Sequence, residues 1–228
     1  TRLLLDAFAG AGALHRFVPV DVSEQTLRDA AVMLTERYPE TAVEAIVGDF
    51  TLHLGHLPEG QRRLVAFLGS TIGNLYLEER GAFLGALADS LDPGDWLLLG
   101  TDLVKDVDRL VRAYDDSAGG TAAFNRNVLE RINRELGGCF DIETFRHRAL
   151  YNGAEGRIEM HLVSQLPQVV AIEGERFHFL EGETIHTENS YKYTVEGFQA
   201  LTERAGFKAR ACWTDDEDLF SVHYLERC

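Results

Sequence analysis

The chain has 228 residues, 45% of them hydrophobic, with 22 basic against 37 acidic side chains and a formal net charge of −15. That is enough chain to bury a core as one large domain or two small ones, and the acidic balance excludes a phosphate backbone as partner, because nucleic-acid binding runs on cationic side chains that release counterions. Cys139, Cys212 and Cys228 are too scattered for a disulfide frame or a zinc site, no apolar run nears the roughly 20 residues of a membrane span, and the expectation is a soluble, cytoplasmic monomer without a leader segment, a membrane contact or a bound metal.

In chain order, Thr1 to Phe8 reads as a helix that Gly10 and Gly12 stop. Phe17 to Val20 is a short apolar strand closed by Asp21. Ser23 to Tyr38 has Leu27, Ala30, Ala31 and Leu34 at helical spacing, with Pro39 beyond its end. Val43 to Val47 is strand-like and runs into Gly48-Asp49-Phe50. Leu64 to Leu68 is a buried strand that ends in Gly69-Ser70-Thr71-Ile72-Gly73-Asn74. A helix from Leu77 to Leu91 and a strand from Trp96 to Leu99 follow. Alternating strands and helices of this kind build an α/β fold, a parallel sheet covered on both faces. Ligands of such sheets sit beyond the carboxyl ends of the strands, so Asp21, Asp49 and the 69–74 loop are expected to line one crevice.

The second part changes character. Lys105–Tyr114 and Thr121–Leu136 read as helices, and five strands are expected between Phe145 and Glu188, the first two joined by the turn Asn152 to Gly156. A helix from Val195 to Ala205 and strands Lys208–Trp213 and Phe220–Leu225 close the chain. The division expected is a Rossmann-like domain over residues 1–115 and 194–228, with a smaller α+β lobe over residues 116–193.

Several positions carry candidate chemistry, each beside a plainer reading. Asp21, at a strand end, suits the ribose hydroxyls of a nucleotide cofactor, and equally suits a cap for the helix that follows. Asp49 accepts from an adenine amine while Phe50 packs on the base; alone, a turn with Phe50 returning to the core is the better reading. The glycines at 69 and 73 let backbone approach a ligand, and Asn74 offers both donor and acceptor. Glu188 and Ser190 share a face of extended chain, where a carboxylate and a hydroxyl could read a ring with two nitrogens; by residue type alone, a solvated strand end competes. His53 and His56 have no third ligand candidate beside them and read as surface histidines.

The strings PVDVSEQTL, VGDF, LVAFLGSTIGNL, LLLGTDLVKD, LVRAYDD, TAAFNRNVL, RIEMHLVS and TENSYKY together resemble the S-adenosylmethionine-dependent histidine Nα-methyltransferases of ergothioneine biosynthesis, from Thr1 nearly to the C-terminus. The resemblance implies a class I methyltransferase fold with a substrate lobe, S-adenosyl-L-methionine as cofactor, and conversion of L-histidine to its trimethylated form, hercynine. It also implies roles: Asp21 for the ribose, Asp49 and Phe50 for the adenine, Gly69 and Asn74 for the substrate amine and carboxylate, and Tyr114 as a second carboxylate contact, with Asn74 and Tyr114 aligning the reacting amine. Thr121 would lie nearby, and Met160, Glu188 and Ser190 would frame the imidazole. The family places a strand and a glycine-rich cofactor loop ahead of the helix that opens here at Thr1, so an N-terminal part is expected beyond these residues. Three other readings are a relative acting on tryptophan, a non-catalytic ligand-binding remnant, and a nicotinamide-dependent dehydrogenase; the last has no Tyr-x-x-x-Lys pair in its favour.

Overall fold

The computed structural model describes residues 1–60 and 62–228. Helix α1 (Arg2–Gly10) leads to β1 (Arg16–Phe17) and β2 (Val20–Asp21), then α2 (Glu24–Arg37), β3 (Ala42–Val43) and β4 (Ile46–Val47). β1 pairs in parallel with β3, and β2 with β4. These pieces form one ladder: the carbonyls of His15, Phe17, Pro19 and Asp21 accept from the amides of Ala42, Glu44, Ile46 and Gly48 at 2.9–3.0 Å. Pro19 has no N–H to give back. That interrupts what the sequence presents as one strand, and only the acceptor side of the ladder survives there.

β5 (Leu64–Phe67), α3 (Leu77–Asp89) and β6 (Trp96–Asp102) follow, and the chain ends with α6 (Val195–Arg204) after it has left and re-entered this layer. The final strands, here named by range, are Phe207–Thr214 and Phe220–Arg227. Their sheet has four strands in the order Phe207–Thr214, Phe220–Arg227, β6, β5. Only β5 and β6 run parallel; the other neighbours are antiparallel. α3 and α6 cover it with Phe83, Leu84, Leu87 and Phe198 over Leu97, Leu99, Phe207 and Leu225, all at most 3% exposed. Burying a side chain of this size contributes roughly 1.5–3 kcal/mol, so this cluster is the main brace of the fold.

Between β6 and α6 lie α4 (Val107–Tyr114), α5 (Gly120–Glu135), β7 (Phe145–Asn152), β8 (Arg157–Ser164), β9 (Gln168–Ile172), β10 (Glu175–Phe179) and β11 (Thr184–Tyr191). With those in place the two closing strands are β12 and β13. β8 is central to an antiparallel sheet with β7 and β11, and β9 and β10 form a separate hairpin. A second core of Leu129, Phe140, Phe145, Leu162 and Val170 joins α5 to these strands. The two layers meet where the chain leaves β11: the Tyr193 amide donates to Asp102 O at 3.2 Å and the Val104 amide to Tyr193 O at 2.8 Å. Buried Arg80 of α3 stacks its guanidinium 4.5 Å from the Tyr191 ring and 5.0 Å from the Tyr193 ring, a cation–π sandwich at the same seam.

Two expectations need correction. The parallel sheet is not continuous: among the described residues no ladder joins β2 or β4 to β5, so β2 and β5 each keep a free edge. Asp21 and Asp49 therefore end one parallel pair, while the 69–74 loop ends a strand of another sheet. The last strand of the lobe also runs three residues beyond Glu188, to Tyr191, because pairing with β8 continues through Asn189, Ser190 and Tyr191. No helix among the described residues is long and apolar enough to cross a membrane, and the three cysteines are free.

Candidate active site

The site grows from the end of β11. Strand alternation would put residues 186, 188 and 190 on one face, yet the register with β8 shifts between His186 and Glu188. Thr187 is the extra residue, its hydroxyl donating to Met160 O at 3.0 Å. The bulge sends His186 to the face of His161, opposite it, and sets Glu188 opposite Met160. Met160 and Ser190 are each 3% exposed. The Glu188 carboxylate is half-buried and accepts no hydrogen bond from any described residue. Burial pushes its carboxyl above the usual range, while the Lys192 ammonium pulls against that shift.

Ser190 belongs to a tight cluster. Its Oγ lies 2.7 Å from Tyr114 Oη, at the last residue of α4. Lys192 Nζ donates to Ser190 Oγ at 2.8 Å and to Tyr114 Oη at 2.9 Å. Its third partner is Asp102 Oδ2 at 2.7 Å, and the Lys192 side chain is 0% exposed. Lys105 holds the other oxygen of Asp102. Tyr114 is fixed from its backbone as well: His147 Nε2 meets Tyr114 O at 2.8 Å, and Asn125 meets His147 Nδ1 at 2.9 Å.

The 69–74 loop closes on this cluster. Gly69 and Ser70 both have left-handed backbones, with φ of 77° and 61°. For a residue with a Cβ, that conformation costs energy. It is repaid in part by Ser70 Oγ, which accepts from the Asp102 amide at 2.9 Å, tying the loop to the aspartate that holds Lys192. Thr71–Asn74 then make a 3-10 turn. A Cβ on Gly73 would stand 3.0 Å from Tyr191 O and 3.6 Å from Ser190 Oγ, so glycine is what lets the loop lie against β11. Asn74 is exposed and its side chain has no partner among the described residues. Thr121 sits in the first turn of α5, its amide donating to Asp116 Oδ1 at 2.7 Å.

The cofactor candidates occupy adjacent strand ends. Asp21 closes β2, with Oδ1 accepting from the Ser23 amide at 2.8 Å; the helix cap expected of it is Ser23 instead, whose Oγ accepts from the Thr26 amide, and Asp21 Oδ2 has no partner among the described residues. Asp49 follows β4; its Oδ1 takes the Thr51 amide at 2.7 Å and Thr51 Oγ1 at 2.6 Å, and these bonds hold its carboxyl below the usual range. Oδ2 is left open in both. Phe50 departs from the expectation that its ring packs on a base: it packs edge-on against Phe67 at 5.1 Å and Phe83 at 5.7 Å. Its ring is core.

Lys192 and Asp102 are missing from the sequence-based candidates. The alternation that pairs Glu188 with Ser190 extends to Lys192, which was the available signal; nothing local points to Asp102. The structure also gathers Glu159, His161 and His186 with ligand atoms within 4.8 Å of one another. Glu159 is already committed there to Arg157 at 2.7 Å and Asn152 at 2.9 Å.

Residues 1–227 match the model of a family described as histidine-specific, SAM-dependent methyltransferases. The chain is 51% identical over 230 residues to a histidine N-alpha-methyltransferase of Mycolicibacterium smegmatis, covering 100% of this chain and 71% of that protein. It is 29% identical over 217 residues to ergothioneine biosynthesis protein 1 of Schizosaccharomyces pombe, covering 91% of this chain and 28% of that one. Among solved structures, the CcbJ methyltransferase of Streptomyces caelestis superposes with a TM-score of 0.51 at 15% identity, over 99% of this chain and 77% of that one. At that identity the likeness speaks for the fold alone.

Proposed function

The chain belongs to the histidine-specific, S-adenosylmethionine-dependent methyltransferase family, and from that premise we propose that it methylates the α-amine of L-histidine three times, giving hercynine for ergothioneine biosynthesis. The observation that carries this reading is Glu188: a half-buried carboxylate without a hydrogen-bond partner among the described residues, set opposite Met160 and two residues from Ser190. A site that leaves such a group unpaired selects a ligand that pairs it. A ring N–H does so, and imidazole adds a lone-pair nitrogen for Ser190 where indole has an N–H but no ring acceptor, a mismatch that discriminates on the order of 10⁴-fold.

S-adenosylmethionine supplies a methyl group already activated on a sulfonium. The open Oδ2 of Asp21 fits the ribose and that of Asp49 the adenine amine, with Phe50 contributing backbone rather than ring. Gly69 backbone and Asn74 hold the substrate amine and carboxylate, Tyr114 is the second carboxylate contact, and Thr121 lines the same end. Met160, Glu188 and Ser190 hold the imidazole. With both ends of the amino acid fixed, the amine is aligned in line with the methyl; proximity and orientation supply roughly 7–11 kcal/mol of such a barrier. The amine attacks as the free base, its lone pair forming the new N–C bond while the C–S electrons return to sulfur. Its remaining protons pass to water between turnovers. The chain divides into a cofactor domain over residues 1–115 and 194–228 and a substrate lobe over 116–193.

The test is turnover. The enzyme incubated with histidine and S-adenosylmethionine is expected to accumulate mono-, di- and then trimethylated histidine by mass spectrometry. Faster turnover of tryptophan than of histidine would replace the substrate. Absence of S-adenosylhomocysteine binding in calorimetry would replace the enzymatic reading with a binding remnant.

A further inference from the structure

We propose that Lys192 is the positioning residue of the substrate site: its buried ammonium donates to Tyr114 Oη and Ser190 Oγ together, and so turns both hydroxyls into donors toward the bound amino acid. The inference rests on the histidine reading above and deepens it.

An ammonium has three N–H donors and no acceptor. Those of Lys192 go to Asp102 Oδ2, Tyr114 Oη and Ser190 Oγ at 2.7, 2.9 and 2.8 Å, with the side chain fully withdrawn from solvent. A lysine buried this deeply is tolerated only when paired and hydrogen-bonded, and Asp102 supplies the counter-charge. Asp102 is itself held by Lys105 and, through its amide, by Ser70 Oγ. The ammonium therefore cannot swing away to serve solvent.

The consequence for the two hydroxyls follows from proton counting. Each hydroxyl oxygen has one proton and two lone pairs. Lys192 occupies one lone pair on each, and the 2.7 Å contact between them uses one of their two protons. One proton already points outward; substrate that breaks the mutual bond leaves each oxygen one lone pair, but the adjacent ammonium charge favours O–H dipoles aimed away from it, so the substrate meets the Tyr114 proton at its carboxylate and the Ser190 proton at its ring. If Ser190 donates to the ring, the nitrogen it meets must carry a lone pair, while Glu188 takes the N–H of the other nitrogen. The pocket thus reads imidazole as its neutral form, one nitrogen as donor and one as acceptor. An imidazolium, with two N–H groups, would set a proton against the Ser190 proton.

Two measurements test this. In Lys192→Met, which keeps side-chain length without the charge, the histidine KM is expected to rise at least about tenfold, with S-adenosylhomocysteine affinity unchanged. Ser190→Ala is expected to cost several-fold less in the Lys192→Met background than alone, since the hydroxyl acts through the ammonium. A merely structural lysine would lower both affinities together and leave the two substitutions additive; either result overturns the inference. Independently of any variant that fails to fold, ¹⁵N NMR of labelled histidine bound to the unmutated enzyme with S-adenosylhomocysteine is expected to show one neutral ring tautomer at pH 7. A bound imidazolium overturns it. If the unmutated enzyme does not methylate histidine, the functional reading falls and takes this one with it; if it does, these outcomes bear on Lys192 alone.

Discussion

The first sixty residues and the 145–191 strands solve the same problem, fixing carboxylates on or just beyond strands, with very different investment. In the first region the strands are two residues long, and Leu5, Leu27, Tyr38 and Leu54 are its buried side chains. In the second, β7, β8 and β11 each run eight residues, and the site's Met160 and Ser190 are almost fully withdrawn from water. Asp21 and Asp49 are held by turn hydrogen bonds within two residues of themselves. Ser190 is held by Tyr114, 76 residues away, and by Lys192, itself paired with Asp102 across the fold. A flexible nucleotide can be caught by local turns, whereas discriminating one small ring from another requires donors and acceptors fixed before it arrives.

Four experiments put that contrast to the test. The largest effect is expected at Glu188: Glu188→Ala should lower kcat/KM for histidine by on the order of 10⁴-fold, and combining it with Met160→Val should narrow the gap between histidine and tryptophan. Unchanged histidine turnover would show that the ring is read elsewhere.

Acid should separate the regions next. His223, buried beside Ser221 and Thr101 in the cofactor layer, has its imidazole pushed down to about 4 by burial. The unfolded chain binds that proton more readily, so the contribution is complete above pH 6.5 and is lost as pH falls toward 4, roughly 3 kcal/mol in all. In the lobe, Glu159 is held down to about 2: burial opposes ionisation but the bonds from Asn152, Arg157 and His161 outweigh it. Its contribution is present above the ordinary carboxylate range and fades only as pH falls from about 4.5 toward 2. Trp96 and Trp213 both lie in the cofactor sheet. Their fluorescence should therefore report weakening of this sheet as pH falls from 6.5 toward 4, and His223→Gln should remove that phase.

Smaller effects are expected at the strand ends. Asp49→Ala should weaken S-adenosylhomocysteine binding by roughly 10- to 100-fold in calorimetry without changing the melting temperature, since the turn it closes is local. A large loss of stability there would contradict the contrast. Gly73→Ala should cost about 1 kcal/mol and raise the histidine KM a few-fold, because the added carbon meets Tyr191 O at 3.0 Å and lifts the loop from β11.

Much of this was legible in the residues. The stop at Gly12 and the helical spacing of Leu27, Ala30, Ala31 and Leu34 gave elements, although α1 runs through Gly10, and the alternation put Glu188 and Ser190 on one face. The ladder between residues 15–21 and 42–48 was visible as two apolar runs, though its interruption at Pro19 follows from a missing donor. Less legible was Phe50, whose aromatic ring suits a base as well as a core until Phe67 and Phe83 are beside it. His186 and Glu188 would share a face under strict alternation, and only the bulge at Thr187 separates them.

Local order in this chain is dictated by period, caps and backbone permissiveness, all properties of neighbouring residues, and the sequence determined those by itself, together with the residue types available for a ring of two nitrogens. The tertiary structure decided which of them meet. Asp102 and Lys192 stand ninety positions apart, and Ser70 reaches the amide of the first while Tyr114 reaches the ammonium of the second. No local pattern encodes such contacts, because a buried charge is stable only where several distant groups converge on it, and convergence is a property of packing.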